Sequence, residues 1–233
     1  MDPNLQTVGM AYTGPIASVE ERNRVLRNTY WLLAISMVPT VLGAWIGVES
    51  GVFAKMGAGL SMLIFLGGAF GFIFAIEKNK NSAAGVPILL GFTFFMGLML
   101  SQMLGYVLGF SNGASLIMTA FAGTGAVFLG MAALSTVIKR DLSAVAKFLY
   151  VGVIMLIVAG FANLFLQSSA LSITFSVVAI GIFSAYIVVH LQRVKNGMET
   201  NYISATLGLY IALYNVFVNL LALLGIFGGG SRN

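Results

Sequence analysis

The chain of 233 residues has no cysteine, which excludes disulfides, thiol nucleophiles and cysteine metal sites. It has a single histidine, His190, and seven acidic residues, too little material for a multi-ligand metal centre. Charge of either sign is scarce. Only 8% of the residues are charged, where a soluble domain carries about a quarter. What fills the sequence is apolar: 59% of residues, with a mean hydropathy of +0.97. A soluble protein of this size would need far more polar surface, so the bulk of the chain is expected inside a lipid bilayer. The net charge of +5 would suit a nucleic-acid partner only if it were clustered on one surface. It is divided among loops instead, and no nucleic-acid partner is expected.

Residues 1–27 are polar and carry Glu20, Glu21, Arg22, Arg24 and Arg27. No apolar run precedes Tyr30 and no small-residue cleavage site follows one, so this stretch reads as a polar tail entering the first span through an amphipathic lead-in, not as a cleaved signal peptide. Seven apolar segments follow, near 28–48, 56–76, 84–109, 114–138, 145–167, 170–191 and 203–227. Each is long enough to cross a hydrocarbon layer as a helix. The expected fold is an all-α integral membrane protein, with a seven-helix transmembrane domain over 28–227 and a short external tail over 228–233. The third and fourth segments, and the fifth and sixth, are joined by so few residues that each pair must form an antiparallel hairpin. Pro39 inside the first segment is expected to kink it, because it cannot bond the Ile35 carbonyl. Pro87 falls in the first turn of the third, where proline is tolerated. Gly67, Gly68, Gly71, Gly105, Gly109, Gly123, Gly125 and Gly130 are expected at helix contacts, since small residues let helices approach closely in lipid.

Orientation follows from counting. With the N-terminus inside, the inner segments hold ten of the twelve basic residues: Arg22, Arg24, Arg27, Lys78, Lys80, Lys139, Arg140, Lys147, Arg193 and Lys195. The outer segments hold only Lys55 and Arg232. Lys and Arg accumulate in cytoplasmic loops, so a cytoplasmic N-terminus and a periplasmic C-terminus are expected.

The last segment is the unusual one. From Ile203 to Phe227 it has no charge, yet Gly208, Ala212, Asn215 and Asn219 recur at helical spacing on one face. An amide turned towards lipid would leave hydrogen bonds unmade, so this face must meet protein or water, and the last helix should lie within the others. Gln102 and Asn163 are candidate interhelical polar contacts for those amides. Tyr210 and Tyr214 add hydroxyls, whose ordinary role in a bundle is packing with a satisfied tip. His190, at the cytoplasmic end of the sixth segment, is either an interfacial histidine wetted by headgroups or a pH-sensitive gate group. A gate or ion path would draw on His190, Tyr210, Ala212, Asn215 and Asn219.

Several activities lack their residues. The last segment has no lysine for a retinal Schiff base. No apolar segment holds the Asp or Glu of a proton relay. A serine dyad would need an activating base beside a nucleophile in a motif this chain does not contain. There is no phosphate-binding or dinucleotide fingerprint. No enzyme activity, catalytic residue, cofactor or resident metal is expected.

The run GMETNYISATLGLYIALYNVFVNLLALLGIF, with SAYIVVH before it and ANLFLQSSALS earlier, resembles the transmembrane Bax inhibitor motif family. Within it the chain is most similar to the bacterial YccA-like branch, whose first span VLRNTYWLLAIS also fits. The resemblance covers residues 24–230 and is most specific from ETNY onward. It implies six helices enclosing the seventh and a bacterial inner-membrane location. Some relatives are pH-dependent calcium leak channels that pair an aspartate near the end of the sixth helix with one in the seventh. The YccA-like branch is instead implied to bind and modulate, and to be degraded by, the membrane-anchored ATP-dependent protease FtsH and its associated membrane proteins.

At both leak-channel positions this sequence differs. Where those members end Tyr-x-x-x-Asp, it reads Tyr186-Ile-Val-Val-His190. Where they have Leu-Tyr-x-Asp, it reads Leu209-Tyr210-Ile211-Ala212. Two close carboxylates can share a proton or hold calcium; a histidine and an alanine can do neither. Modulation of the protease is therefore the expected function, with a calcium or proton leak as the alternative.

Overall fold

The computed structural model describes residues 18–53, 55–140 and 142–230. The sequence expectations for residues 1–17 and for Arg232 lie outside them. Among the described residues there are seven α-helices and no strand: α1 (Val19–Ser50), α2 (Ala58–Asn79), α3 (Gly85–Leu108), α4 (Gly113–Val137), α5 (Ser143–Leu166), α6 (Ser169–Lys195) and α7 (Tyr202–Gly228). All seven are long and apolar enough to cross a membrane.

α1 starts nine residues before the first apolar segment. Ser18 and Glu21 form a reciprocal capping box: the Glu21 amide donates to Ser18 Oγ at 3.2 Å, and the Ser18 amide donates to Glu21 Oε2 at 3.0 Å. The lead-in is held against the bundle by Arg22, whose Nη1 donates to the Lys195 carbonyl at 3.0 Å. Val25 is buried one turn later, with Val194 and Ala205. At their other ends the helices also outrun the apolar segments, so Glu49 lies in the last turn of α1 and Glu77 near the end of α2.

α1 runs through Pro39 without a break in the helix. The Ile35 carbonyl loses its usual donor there, and Thr40 Oγ1 donates to the neighbouring Ser36 carbonyl at 2.8 Å. This polar stretch of α1 is also where α3 comes closest. A methyl group on Gly97 would stand 2.0 Å from the Thr40 carbonyl oxygen, and one on Gly43 would stand 2.2 Å from that of Phe94. Gly47 meets Ser101 in the same way. α1 and α3 therefore form the most intimate helix pair in the molecule.

The glycines expected at contacts behave differently. Gly67, Gly71, Gly105, Gly125 and Gly130 have open space where a Cβ would be. Gly109 meets only carbonyls of its own chain nearby, whereas Gly68 sits under the Phe95 ring and Gly123 against Leu220. The expectation fails for the five open positions because a glycine facing lipid and a glycine facing protein look alike in sequence.

α7 is the centre of the bundle. It packs against α1, α2, α3, α4 and α6, and no residue from 201 to 225 is exposed. Among the described residues the backbone of α5 packs on α6 only, so α7 is enclosed by five helices with α5 outside them. One core cluster runs along α7 from Ile203 to Val216 and takes in Phe92, Ile187 and Leu191. A second gathers Leu221 with Val107, Leu116 and Ala120.

Candidate functional site

The polar contacts of α7 begin at its entry. Asn201 is the N-cap: its Oδ1 accepts from the amides of Ile203 at 2.9 Å and Ser204 at 3.1 Å. Its Nδ2 donates to the Lys80 carbonyl and to Asn81 Oδ1 in the α2–α3 loop. Glu199 Oε1 accepts from the Asn201 amide at 3.0 Å, and Tyr202 packs against Val25, Val194 and Ala205. The Glu-Thr-Asn-Tyr stretch thus fixes where the central helix starts and ties it to a neighbouring loop. Sequence reading marked these four residues by resemblance but missed their capping role, although an Asn just before an apolar run is the ordinary signal of an N-cap.

Further along, α7 presents two polar sides. On one, Thr206 Oγ1 donates to the Thr29 carbonyl of α1, and the Tyr210 hydroxyl lies 2.9 Å from Thr40 Oγ1. Tyr210 is 1% exposed, and its hydroxyl also donates to the Thr93 carbonyl at 3.4 Å. The Tyr214 hydroxyl donates to the Met96 carbonyl at 3.3 Å. The two tyrosines join α7 to the close α1–α3 pair beside Pro39.

On the other side, Gly208 receives the His190 ring. A Cβ on Gly208 would stand 2.4 Å from His190 Cε1 and 2.8 Å from both ring nitrogens. Tyr186 stacks on the imidazole from behind, with centroids 5.7 Å apart and planes 28° from parallel. His190 is thus turned into the α6–α7 seam and partly buried. Residues two apart on a helix lie on roughly opposite sides, so the histidine and Tyr210 belong to different seams. The structure brings His190 to the Gly208–Ala212 stripe and leaves Tyr210 outside it.

Asn215 and Asn219 occupy the next turns of that stripe. Their Nδ2 groups donate back to the Ile211 and Asn215 carbonyls, each at 2.8 Å, so each amide is bonded within α7. The expected partners are engaged elsewhere. Gln102 Nε2 donates to the Phe53 carbonyl at 2.5 Å and to Ser61 Oγ at 2.8 Å, joining α3 to the α1–α2 connection and to the first turn of α2. Asn163 Nδ2 donates to Ser172 Oγ at 2.7 Å, and its Oδ1 accepts from the Ser168 amide at 3.0 Å. Gln102 and Asn163 therefore do not pair with the α7 amides, contrary to the sequence expectation. Asn163 staples the α5–α6 turn, at which Gln167 adopts a left-handed backbone, and among the described residues the α5 backbone makes no contact with that of α7.

The far end of α7 is clasped by Asn112 in the α3–α4 turn. Its Nδ2 donates to the Gly228 carbonyl at 2.6 Å and its Oδ1 accepts from the Gly230 amide at 2.9 Å. Among the described residues no three His, Asp or Glu side chains converge. What surrounds α7 is a set of neutral hydroxyl and amide bonds made within the protein, with one imidazole wedged against a glycine.

These features define a multi-pass, seven-helix membrane protein built around a buried last helix. Residues 22–229 match the family model described as Inhibitor of apoptosis-promoting Bax1. The chain belongs to that Bax inhibitor family. It is 39% identical over 211 residues to an uncharacterized protein of Neisseria meningitidis serogroup A, covering 89% of this chain and 93% of the relative. It is 36% identical over 218 residues to an uncharacterized membrane protein of Vibrio cholerae, covering 92% and 94%. It is also 35% identical over 208 residues to the Escherichia coli K12 protein named Modulator of FtsH protease YccA, covering 89% of this chain and 92% of that one.

Proposed function

We propose that the protein is a non-enzymatic inner-membrane modulator of an FtsH-type, membrane-anchored ATP-dependent protease and its associated membrane proteins, acting in membrane-protein quality control. The observation that carries this reading is the similarity to a protein named as such a modulator along 89% of the chain. The chemistry of the α7 seam supports it. Where a leak pathway of the family's kind would need two carboxylates, the seam has His190 packed on Gly208 and a buried Ala212. In this reading His190, Ala212, Asn215 and Asn219 hold the central helix in place, and Tyr210, Gln102 and Asn163 hold its surroundings. The N-terminus is cytoplasmic and the C-terminus periplasmic. The tail before Ser18 serves as the segment an unfolding protease grips, since it belongs to the longest stretch of the chain outside the seven apolar segments.

The test is co-reconstitution with the protease and a model membrane substrate in nanodiscs. Stoichiometric association and an altered rate of substrate degradation are expected, and removal of residues 2–17 should slow the ATP-dependent turnover of the protein itself. No association, together with a saturable calcium or proton flux in liposomes that is lost in Asn215→Leu, would replace this reading with a leak pathway.

A further inference from the structure

Just inside its basic entry, α1 carries a shallow, open surface groove of about 530 Å³ lined by Leu26, Arg27, Tyr30 and Trp31 of that one helix. Its floor belongs to the bundle, since Leu26 packs against two core clusters. Its wall reaches α4 through one ring: Tyr30 meets Phe128 edge-on at 6.2 Å, although the two helices make no direct backbone packing among the described residues. Trp31 is 67% exposed. The groove therefore opens sideways, at the level where the chain changes from charged to apolar.

Among the described residues no ion pair engages its charge. Arg27 is exposed, and among the described residues the one ion pair is Lys80–Glu77, on another helix. Arg24, also exposed, lies one turn earlier and so beside Arg27 on the helix surface. Arg22 differs from both, because it is committed to the Lys195 carbonyl. An occupant that matches this surface brings negative charge to Arg27 and an apolar body along Leu26, Tyr30 and Trp31. A guanidinium matches a phosphodiester in bidentate geometry, and a Tyr–Trp pair suits the boundary between headgroups and hydrocarbon.

We infer that this groove is a binding site for an anionic phospholipid, with the phosphate on Arg27 and one acyl chain along Leu26, Tyr30 and Trp31. The site is independent of the protease reading, since it rests on α1 and its contact with α4 alone.

The sequence provides the probe, because Trp31 and Trp45 are its only tryptophans. The Trp45→Phe variant, reconstituted in phosphatidylcholine bilayers, is titrated with brominated phosphatidylglycerol or brominated phosphatidylcholine while Trp31 fluorescence is followed. A juxtamembrane basic residue favours anionic lipid by about five-fold, so quenching by the glycerol lipid should half-saturate at about a five-fold lower mole fraction. Arg27→Gln should remove that preference and Arg27→Lys should retain part of it. In a Trp31→Phe variant, Trp45 should show none. Equal quenching by the two lipids, or a preference that survives Arg27→Gln, would overturn the proposal. So would loss of protease association in Arg27→Gln without any lipid preference at Trp31, which would give the groove to a protein partner.

Discussion

Gly208 shows how one residue sets the path of a side chain. The His190 ring occupies the space where any other residue would place a Cβ, and Tyr186 closes the imidazole from behind. Gly208→Ala should therefore destabilise the protein by about 1–3 kcal/mol, as overpacking does, read as a lower thermal midpoint in detergent. Removing the ring as well, in His190→Ala with Gly208→Ala, should recover much of the loss, because residues in contact couple. A double variant no more stable than the sum of the singles would deny the contact. Tyr210→Phe tests the opposite seam. It removes the contact with Thr40 Oγ1, yet Thr40 keeps its bond to the Ser36 carbonyl. A loss of about 0.6–2 kcal/mol is expected, the range of interhelical hydrogen bonds in lipid.

At the scale of helices, the α1–α3 pair and the open glycines make a direct comparison. Gly97→Ala drives a methyl group into the Thr40 carbonyl, a backbone atom that cannot rotate away. It should cost about 3 kcal/mol or more, the upper end of overpacking. Gly71→Ala meets nothing within 4 Å and should change stability by less than about 0.5 kcal/mol. Chemical denaturation of both variants in one detergent decides this, and similar losses would mean that the helices pack differently. The sequence does contain the relevant pattern. Gly43 and Gly47 are four apart on α1, as are Gly97 and Ser101 on α3, the small-xxx-small spacing of close helix pairs. The same spacing occurs at Gly67 and Gly71 on the open side of α2, so spacing alone could not tell contact from lipid exposure.

For the whole molecule, the ends of the bundle are chemically distinct. The start of α1, the end of α2 with Lys80 just after it, the α4–α5 connection with the start of α5, and the last turn of α6 hold ten basic residues, and this end is tied together by Arg22 to Lys195, Asn201 to Lys80 and Gln192 to Ile138. The opposite end is closed by Gln102 and by the Asn112 clasp. Since the chain has no cysteine, single substitutions report topology directly. In intact cells Lys55→Cys should react with a membrane-impermeant maleimide, and Lys139→Cys should react only after permeabilisation. The reverse pattern would invert the orientation that the Lys and Arg distribution predicts.

Sequence alone determined the features that arise from contrast with lipid. Seven apolar runs become seven helices because an unpaired backbone cannot cross hydrocarbon. The last became the buried one because Asn215 and Asn219 could not face the membrane; Asn219 is 5% exposed. The tertiary structure decided everything that depends on which side of an apolar helix meets protein. In water, a polar face marks the outside of a helix. In a bilayer both the outward and inward faces are apolar, so that signal vanishes. Hence the open glycines, the separation of α5 from α7 and the actual partners of Gln102 and Asn163 were not legible beforehand. The seating of His190 on Gly208 depended further on the pairing of two helices whose contact no local pattern encodes.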